Sequence, residues 1–369
     1  QDQLRFIQAG FGRRWLLWAR LRSVLSKSVN PFHFFKWWKT KRNEDRIPQQ
    51  SHYQRSVKKF EDKPLTGEVS VLIPTVNRYP YLRVLLDQMR NQTIPPIEIL
   101  VIDQTPEGFR DFDLLNNYDD LPIKYHMLDQ AGQSTSRNFG LQNATGDYVL
   151  FLDDDVEAPP NLIESHLRNL ISFTSNVSSG VVYEKSPDEL AKDFQFLRTS
   201  NMFPGGNSLI KTDVLEKTGL FDLAYDHGQR ADHDLGMRLY LSGEMMILDP
   251  SIAILHHHAP MGGLREHKAR VDTRAASRQH LFRRNLPTIS DIYLAKRYFS
   301  QKQVREILWI NLLGTFSIQG GLLKRFLKIL ISTLFLPHSL WVLIRRSRAA
   351  NEMLKNYPQI PDYAVDKEQ

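Results

Sequence analysis

The strongest constraint in this sequence is an apolar run that ends in three consecutive carboxylates: Gly146 to Val156 reads GDYVLFLDDDV. Val149 to Leu152 combine leucine with β-branched and aromatic side chains, the composition of a strand buried on both faces. Asp153, Asp154 and Asp155 follow it directly. Adjacent carboxylates repel and resist desolvation, so a fold keeps three of them at a buried strand end when a cation sits among them. Alternation along an extended backbone puts Asp153 and Asp155 on one side. Hard divalent ions such as Mg2+ or Mn2+ take oxygen ligands. The competing reading is an acidic turn whose aspartate caps a helix beginning near Pro159.

The chain before this stretch alternates between two periods. Val69 to Ile73 and Ile97 to Ile102 are short apolar runs that predict buried strands, and Ile123 to Met127 predicts a third. Between them, Tyr79 to Arg90 carries apolar residues at helical spacing, and Ser134 to Gln142 predicts another helix. Continuous apolar strands alternating with amphipathic helices predict an α/β fold with a mostly parallel sheet flanked by helices. Such sheets bind ligands beyond the carboxyl ends of their strands. Thr75, Asp103 and the aspartate triplet all fall at those ends, which makes that edge the candidate site.

Later motifs are weaker singly. FPGGNS at 203–208 offers Gly205 and Gly206 for a close backbone approach or an ordinary turn. In DHGQRADHDLGMRLYL at 226–241, Asp232 stands at a helix start, where it suits a cap, the helix dipole or a general base. Met246 to Leu255 is apolar, broken by Asp249-Pro250, and ends in His256, His257 and His258. In a strand His256 and His258 share a face and are candidate metal ligands. The basic residues from Arg265 to Arg284 predict a helix reaching Asn285. The chain has no cysteine, which excludes disulfides, thiolate metal sites and a cysteine nucleophile.

Together these segments resemble the family 2 glycosyltransferases of GT-A fold. The matching residues are VSVLIPTVNR at 69–78, IEILVIDQTPEG at 97–108, GQSTSRNFGL at 132–141 and GDYVLFLDDDV at 146–156. GGNSLIKTDVLEKTGLFD at 205–222, ADHDLGMRL at 231–239 and LHHHAP at 255–260 continue the pattern. The resemblance covers roughly residues 66–290 and implies a nucleotide-diphosphate sugar as donor and Mg2+ or Mn2+ as cofactor. It implies that Thr75 and Asp103 contact base and ribose, and that Arg137 lies near the diphosphate. Asp153 and Asp155 become the DxD pair, with Asp155 the firmer metal ligand and His256 a further metal or diphosphate ligand. Gly206 and Asn207 would line the donor-sugar and acceptor side, and Pro74, Asn77, Arg78, Gln133 and Asp154 complete the nucleotide-sugar set. Asp232 matches the family's catalytic base. The glutamate that usually precedes that base is Ala231 here, which leaves Asp234 as an alternative.

Charge divides the chain. Residues 1–60 hold 14 Lys/Arg against 3 Asp/Glu, residues 61–295 hold 22 against 33, and residues 296–348 hold 10 against 1. The expected organisation is a basic aromatic arm over 1–65, the transferase domain over 66–295 and amphipathic helices with a tail over 296–369. Trp and Phe among Lys and Arg suit a helix in an anionic membrane interface, with packing on the domain or nucleic-acid binding as rivals. The acidic middle disfavours a polyanion there, so no nucleic-acid partner is expected. From Lys302 to Arg346 helices are expected, with Leu322, Leu323, Phe326, Leu327, Leu330 and Leu334 on one stripe opposed by Lys324, Arg325 and Lys328. The apolar run there falls short of a membrane span and is interrupted by Pro337, which suggests in-plane attachment.

The expected function is inverting transfer of a sugar to a glycan or lipid-linked acceptor in cell-envelope synthesis, peripherally at the cytoplasmic face of the membrane. A nucleotidylyltransferase would show a glycine-rich loop after the first strand, where this chain has PTVNRYPY. A binding protein that uses the sheet only as a scaffold is the non-enzymatic alternative.

Overall fold

The computed structural model describes residues 16–19, 21, 65, 67–183, 194–259 and 280–363. The chain forms two compact units, Gln1–Phe60 and Glu61–Gln369. In the first, the described residues are helical, and the rest of the basic aromatic arm lies outside the described residues.

The second unit is built on one sheet. β1 (Val69–Thr75), α1 (Tyr79–Met89), β2 (Glu98–Asp103), β3 (Ile123–Met127), α2 (Gln133–Asn143) and β4 (Tyr148–Leu152) come first. Their strands run in the order β3-β2-β1-β4, all parallel. Antiparallel pairing enters with the later strands. β5 (Val156–Glu157), α3 (Leu162–Phe173), β6 (Val177–Tyr183), β7 (Arg198–Thr199) and β8 (Asn207–Lys211) follow β4. After them come the short α4 (Leu215–Thr218), α5 (Ala231–Leu241) and β9 (Met246–His256). β8 inserts antiparallel between β4 and β6, while β6 and β9 pair in parallel.

Alternation along the strands decides what each face buries. In β1, Val71 and Ile73 point into one apolar cluster with Leu85 of α1 and Leu167 of α3. Leu72, between them, joins the opposite cluster with Phe151, Phe221, Leu235 and Tyr293. Both faces are therefore covered, which is why these strands read as unbroken apolar runs. Each such side chain contributes about 1.5–3 kcal/mol through the surface it removes from water.

Two expectations change. β9 continues through Asp249-Pro250, because its register against β6 shifts between Ser179 and Val181, and the proline occupies the interruption in the ladder. His280 to Asn285 form no helix. The carbonyls of His280, Leu281 and Arg283 instead accept from the Lys328 ammonium at 3.1, 2.9 and 2.8 Å. The remainder of the helix expected there, residues 260–279, lies outside the described residues.

Four helices end the unit: α6 (Ile289–Tyr298), α7 (Gln301–Gly314), α8 (Leu322–Leu334) and α9 (Leu336–Asn356). Thr288 with Asp291 and Ser300 with Gln303 form capping boxes that start α6 and α7. Ile292 and Tyr293 of α6 and Ala350 of α9 are buried in the cluster on one sheet face. The boundary expected at residue 295 thus falls inside a helix that packs on the sheet. Among the described residues no single helix is long and apolar enough to cross a membrane.

Candidate active site

The carboxyl ends of β1 and β4 and the start of α5 surround an open cavity of about 420 Å³. Pro74, Thr75, Arg78, Gln133, Arg137, Asp153, Asp154, Asp155, Asp232 and His256 line it, so ten of the residues singled out in the sequence come together.

The aspartates have distinct surroundings. Asp154 accepts from Thr75 Oγ1 at 2.8 Å and from the Arg78 guanidinium at 2.9 Å. Burial outweighs these partners and pushes its carboxyl up to about 6. Asp155 is buried too, but Nε2 of His256 at 3.1 Å, Arg78 at 3.2 Å and the amide of Ala259 at 2.8 Å outweigh that and hold it down at about 2. Asp153 turns toward the cavity, with Arg137 at 3.5 Å. Desolvation raises its carboxyl, reinforced by Asp155 and Asp232 and opposed by Arg137 and His256. None of the three caps α3, whose N-cap is Asn161.

Asp232 lies in the first turn of α5 without capping it. Its Oδ2 accepts from the Gly205 amide at 3.4 Å, and Arg137 lies 3.7 Å from its Oδ1. That Oδ1 is buried and has no hydrogen-bond partner. Arg137 therefore stands between Asp153 and Asp232, its guanidinium also over the Phe221 ring at 5.6 Å. Asp234, the alternative base, is fully buried away from the cavity, paired with Arg238 and accepting from Tyr298 at 2.7 Å.

Four residues of the expected nucleotide-sugar set do not line the cavity. Asp103 is fully buried and accepts from the hydroxyls of Tyr79 and Tyr125 and from the amide of Thr105. Asn77 adopts a positive φ of 53° and donates its amide to Thr105 Oγ1. Asn207 points into the sheet: its side chain meets Nε2 of His166 at 3.0 Å and the carbonyls of Val181 and Ile252. Gly206 acts by what it lacks, since a Cβ there would lie 2.6 Å from Asp153 Oδ2. Gly205 is matched to Asp232 in the same way, at 2.7 Å.

Several cavity residues escaped the sequence reading: Gln104, Ser136, Gln229, Arg230 and His233. Gln104 directly follows β2, so the rule that sites form at strand ends covers it. Asp226 acts from outside, accepting from the amides of Ser134 and Thr135 and so anchoring the N-terminus of α2 beside the cavity. The rings of His256 and His258 lie with centroids 4.1 Å apart and planes tilted by 53°, while His257 turns to Glu157.

Asp153, Asp155 and His256 supply the oxygen and imidazole donors that suit a divalent ion. The donor types fit. Among the described residues, however, no three such side chains converge as a preformed cage, and Oδ1 of Asp155 is engaged by Arg78 and His256.

A mixed sheet that gathers carboxylates, an arginine and a histidine at the ends of its parallel strands is the architecture of a GT-A domain. Residues 70–219, less than half of the chain, match the model for glycosyl transferase family 2. The glycosyltransferase GlyA of Streptococcus pneumoniae is 30% identical over 127 residues, 33% of this chain and 18% of its own length. A GalNAc(5)-diNAcBac-PP-undecaprenol beta-1,3-glucosyltransferase of Campylobacter jejuni is 29% identical over 167 residues, 40% of this chain and 53% of its own length. This chain thus spans between about a fifth and a half of these relatives. The mannosyltransferase PcManGT of Pyrobaculum calidifontis, solved with GDP-Man and Mn2+, superposes with a TM-score of 0.51 at 19% identity, over 83% of this chain and 94% of that one. That likeness is one of fold.

Proposed function

We propose that this protein transfers a sugar from a nucleotide-diphosphate donor to a glycan or lipid-linked acceptor by a single inverting displacement. The observation that carries the reading is Arg137 placed between Asp153 and Asp232 in one cavity. It joins the cation that would meet a departing diphosphate to the carboxylate that would take the acceptor's proton. The acceptor oxygen attacks the anomeric carbon, the bond to the diphosphate oxygen breaks with its electron pair, and the hydroxyl proton passes to Asp232. Oδ1 of Asp232, buried without a hydrogen-bond partner, suits that role. Arg137, released from its carboxylates, stabilises charge on the leaving diphosphate. Pro74, Thr75, Arg78, Gln133 and Asp154 form the wall for the nucleotide, and Asp103 and Asn77 shape that wall from behind. Asp153, Asp155 and His256 would hold a divalent ion, which supplies further charge neutralisation when bound. The mannosyltransferase of similar fold, solved in complex with GDP-Man and Mn2+, supports that ion.

We place the reaction in cell-envelope polysaccharide or glycolipid synthesis, peripherally at the cytoplasmic face of the membrane. The undecaprenol-linked acceptor in the name of the Campylobacter relative supports this setting. A panel of nucleotide sugars with Mn2+ tests the function, read by release of nucleoside diphosphate and by the anomeric configuration of the product. Release that depends on Asp155 and Asp232, with inversion, is expected. Undiminished release from Asp155→Ala and Asp232→Asn, or retention of configuration, refutes the reading.

A further inference from the structure

α8 is built inside out. Its 13 residues bury two side chains, Lys328 and Ser332. The apolar stripe faces outward: Leu322 is 84% exposed, Leu323 73%, Phe326 62% and Leu334 74%. In a helix packed on a water-soluble domain the opposite face turns inward. Here the rotation is locked by polar contacts. The Lys328 ammonium has three N–H donors, and the carbonyls of His280, Leu281 and Arg283 use them. Ser332 Oγ donates to the Thr315 carbonyl at 2.8 Å. Burying an ammonium is costly even when it is fully hydrogen-bonded. A chain that buries Lys328 and exposes five or more large apolar residues on the opposite face has an apolar medium on that side.

The charge identifies the medium. Residues 307–351 contain no Asp or Glu, and Lys324, Arg325, Lys328, Arg345, Arg346 and Arg348 are basic. A second copy of this surface would bring like charges together. Anionic lipid matches both the apolar stripe and its basic surround. Dimensions exclude a span by α8, which at about 1.5 Å per residue is roughly 20 Å long against the roughly 30 Å of a hydrocarbon core. α8 and α9 together have the length and composition, but they are bent by 59° at their junction.

We propose that α8 lies in the plane of an anionic membrane surface, with Leu322, Leu323, Phe326, Leu330 and Leu334 inserted among the acyl chains and Lys324 and Arg325 at the headgroups. This deepens the membrane-surface part of the proposed function. It is tested without reading sugar transfer, so either can fail alone.

The test is flotation of the full chain with phosphatidylcholine vesicles, with and without phosphatidylglycerol. Wild type is expected to float with the anionic vesicles, less so as salt rises, and Leu323→Glu/Phe326→Glu/Leu330→Glu to lose about tenfold or more of that partitioning. These positions are exposed, so the circular dichroism spectrum and Tm should stay unchanged. Because the chain has no cysteine, Leu330→Cys can carry an environment-sensitive fluorophore, whose emission should shift to the blue on adding anionic vesicles. Equal flotation of the triple variant, or no shift at Leu330→Cys, overturns the proposal. So does a dimer in solution that the triple variant dissociates, which would make a second copy the occupant.

Discussion

A methyl group built on Gly206 would stand 2.6 Å from Oδ2 of Asp153, closer than carbon and oxygen can pack. The backbone before β8 is thus fitted against the carboxylate that faces the cavity, and Gly205 is fitted against Asp232 in the same way. Gly206→Ala should displace Asp153 while leaving the sheet intact. An ångström of misplacement at a reacting centre costs about a hundredfold in rate. We expect sugar transfer to fall by about that factor with little change in Tm, compared by steady-state kinetics and thermal unfolding.

Asp232 and Asp234 are two residues apart but face different environments. Asp232→Asn should lower kcat by about 10²- to 10⁴-fold, the range for loss of a general base, with donor affinity and Tm nearly unchanged. Asp234 is buried with Arg238 and Tyr298. Asp234→Asn should cost stability, about 3 kcal/mol or more for a broken buried pair, while folded molecules keep their activity. The two variants, assayed for kcat and for urea midpoint, should separate cleanly; the reverse pattern would move the base to Asp234.

Arg78 neutralises both Asp154 and Asp155 where a divalent ion would also act. Arg78→Gln leaves two buried carboxylates with less positive charge nearby and should lower Tm. Mn2+ should raise the Tm of this variant by more than it raises that of wild type, since the ion no longer competes with a guanidinium for Asp155. Equal shifts in a thermal scan would mean that Arg78 and the ion do not share that carboxylate.

His166 is fully buried between Ser178 and Asn207. Burial lowers it from its ordinary 6.5 to about 4, so the folded chain keeps it neutral while the unfolded chain protonates it first. The resulting stability is complete above about pH 6.5 and is lost as pH falls toward 4, up to about 3 kcal/mol. Asp154, raised to about 6, acts in the opposite sense. The informative quantity is therefore the difference between wild type and His166→Gln in urea unfolding, which should shrink across this window as pH falls.

Much of the fold was legible because burial leaves a pattern in the chain. β1, β2 and β4 are covered on both faces, so they appear as apolar runs, and their polar terminators Thr75, Asp103 and Asp153 mark where they end. Cavity residues contributed by those strand ends were found for that reason. β7, of two residues, leaves no such signal, and neither does the insertion of β8 antiparallel beside β4. The expected helix over His280 to Asn285 failed because a lysine more than forty positions later takes its carbonyls.

The alternation of strand and helix, the edge at which polar side chains accumulate and the uneven charge can all be read along the chain. These depend on local periodicity and residue type, which are present in any single sequence. Long-range packing selects which polar residue faces the cavity and which serves the framework. Asp103 goes to two tyrosines and Asn207 to His166, while Asp153 and Asp232 meet at Arg137. It also decided that α8 turns Lys328 inward and its leucines outward. A carboxylate, an amide or an amphipathic helix has the same chemistry in either role, and only partners brought together from distant parts of the chain select between them.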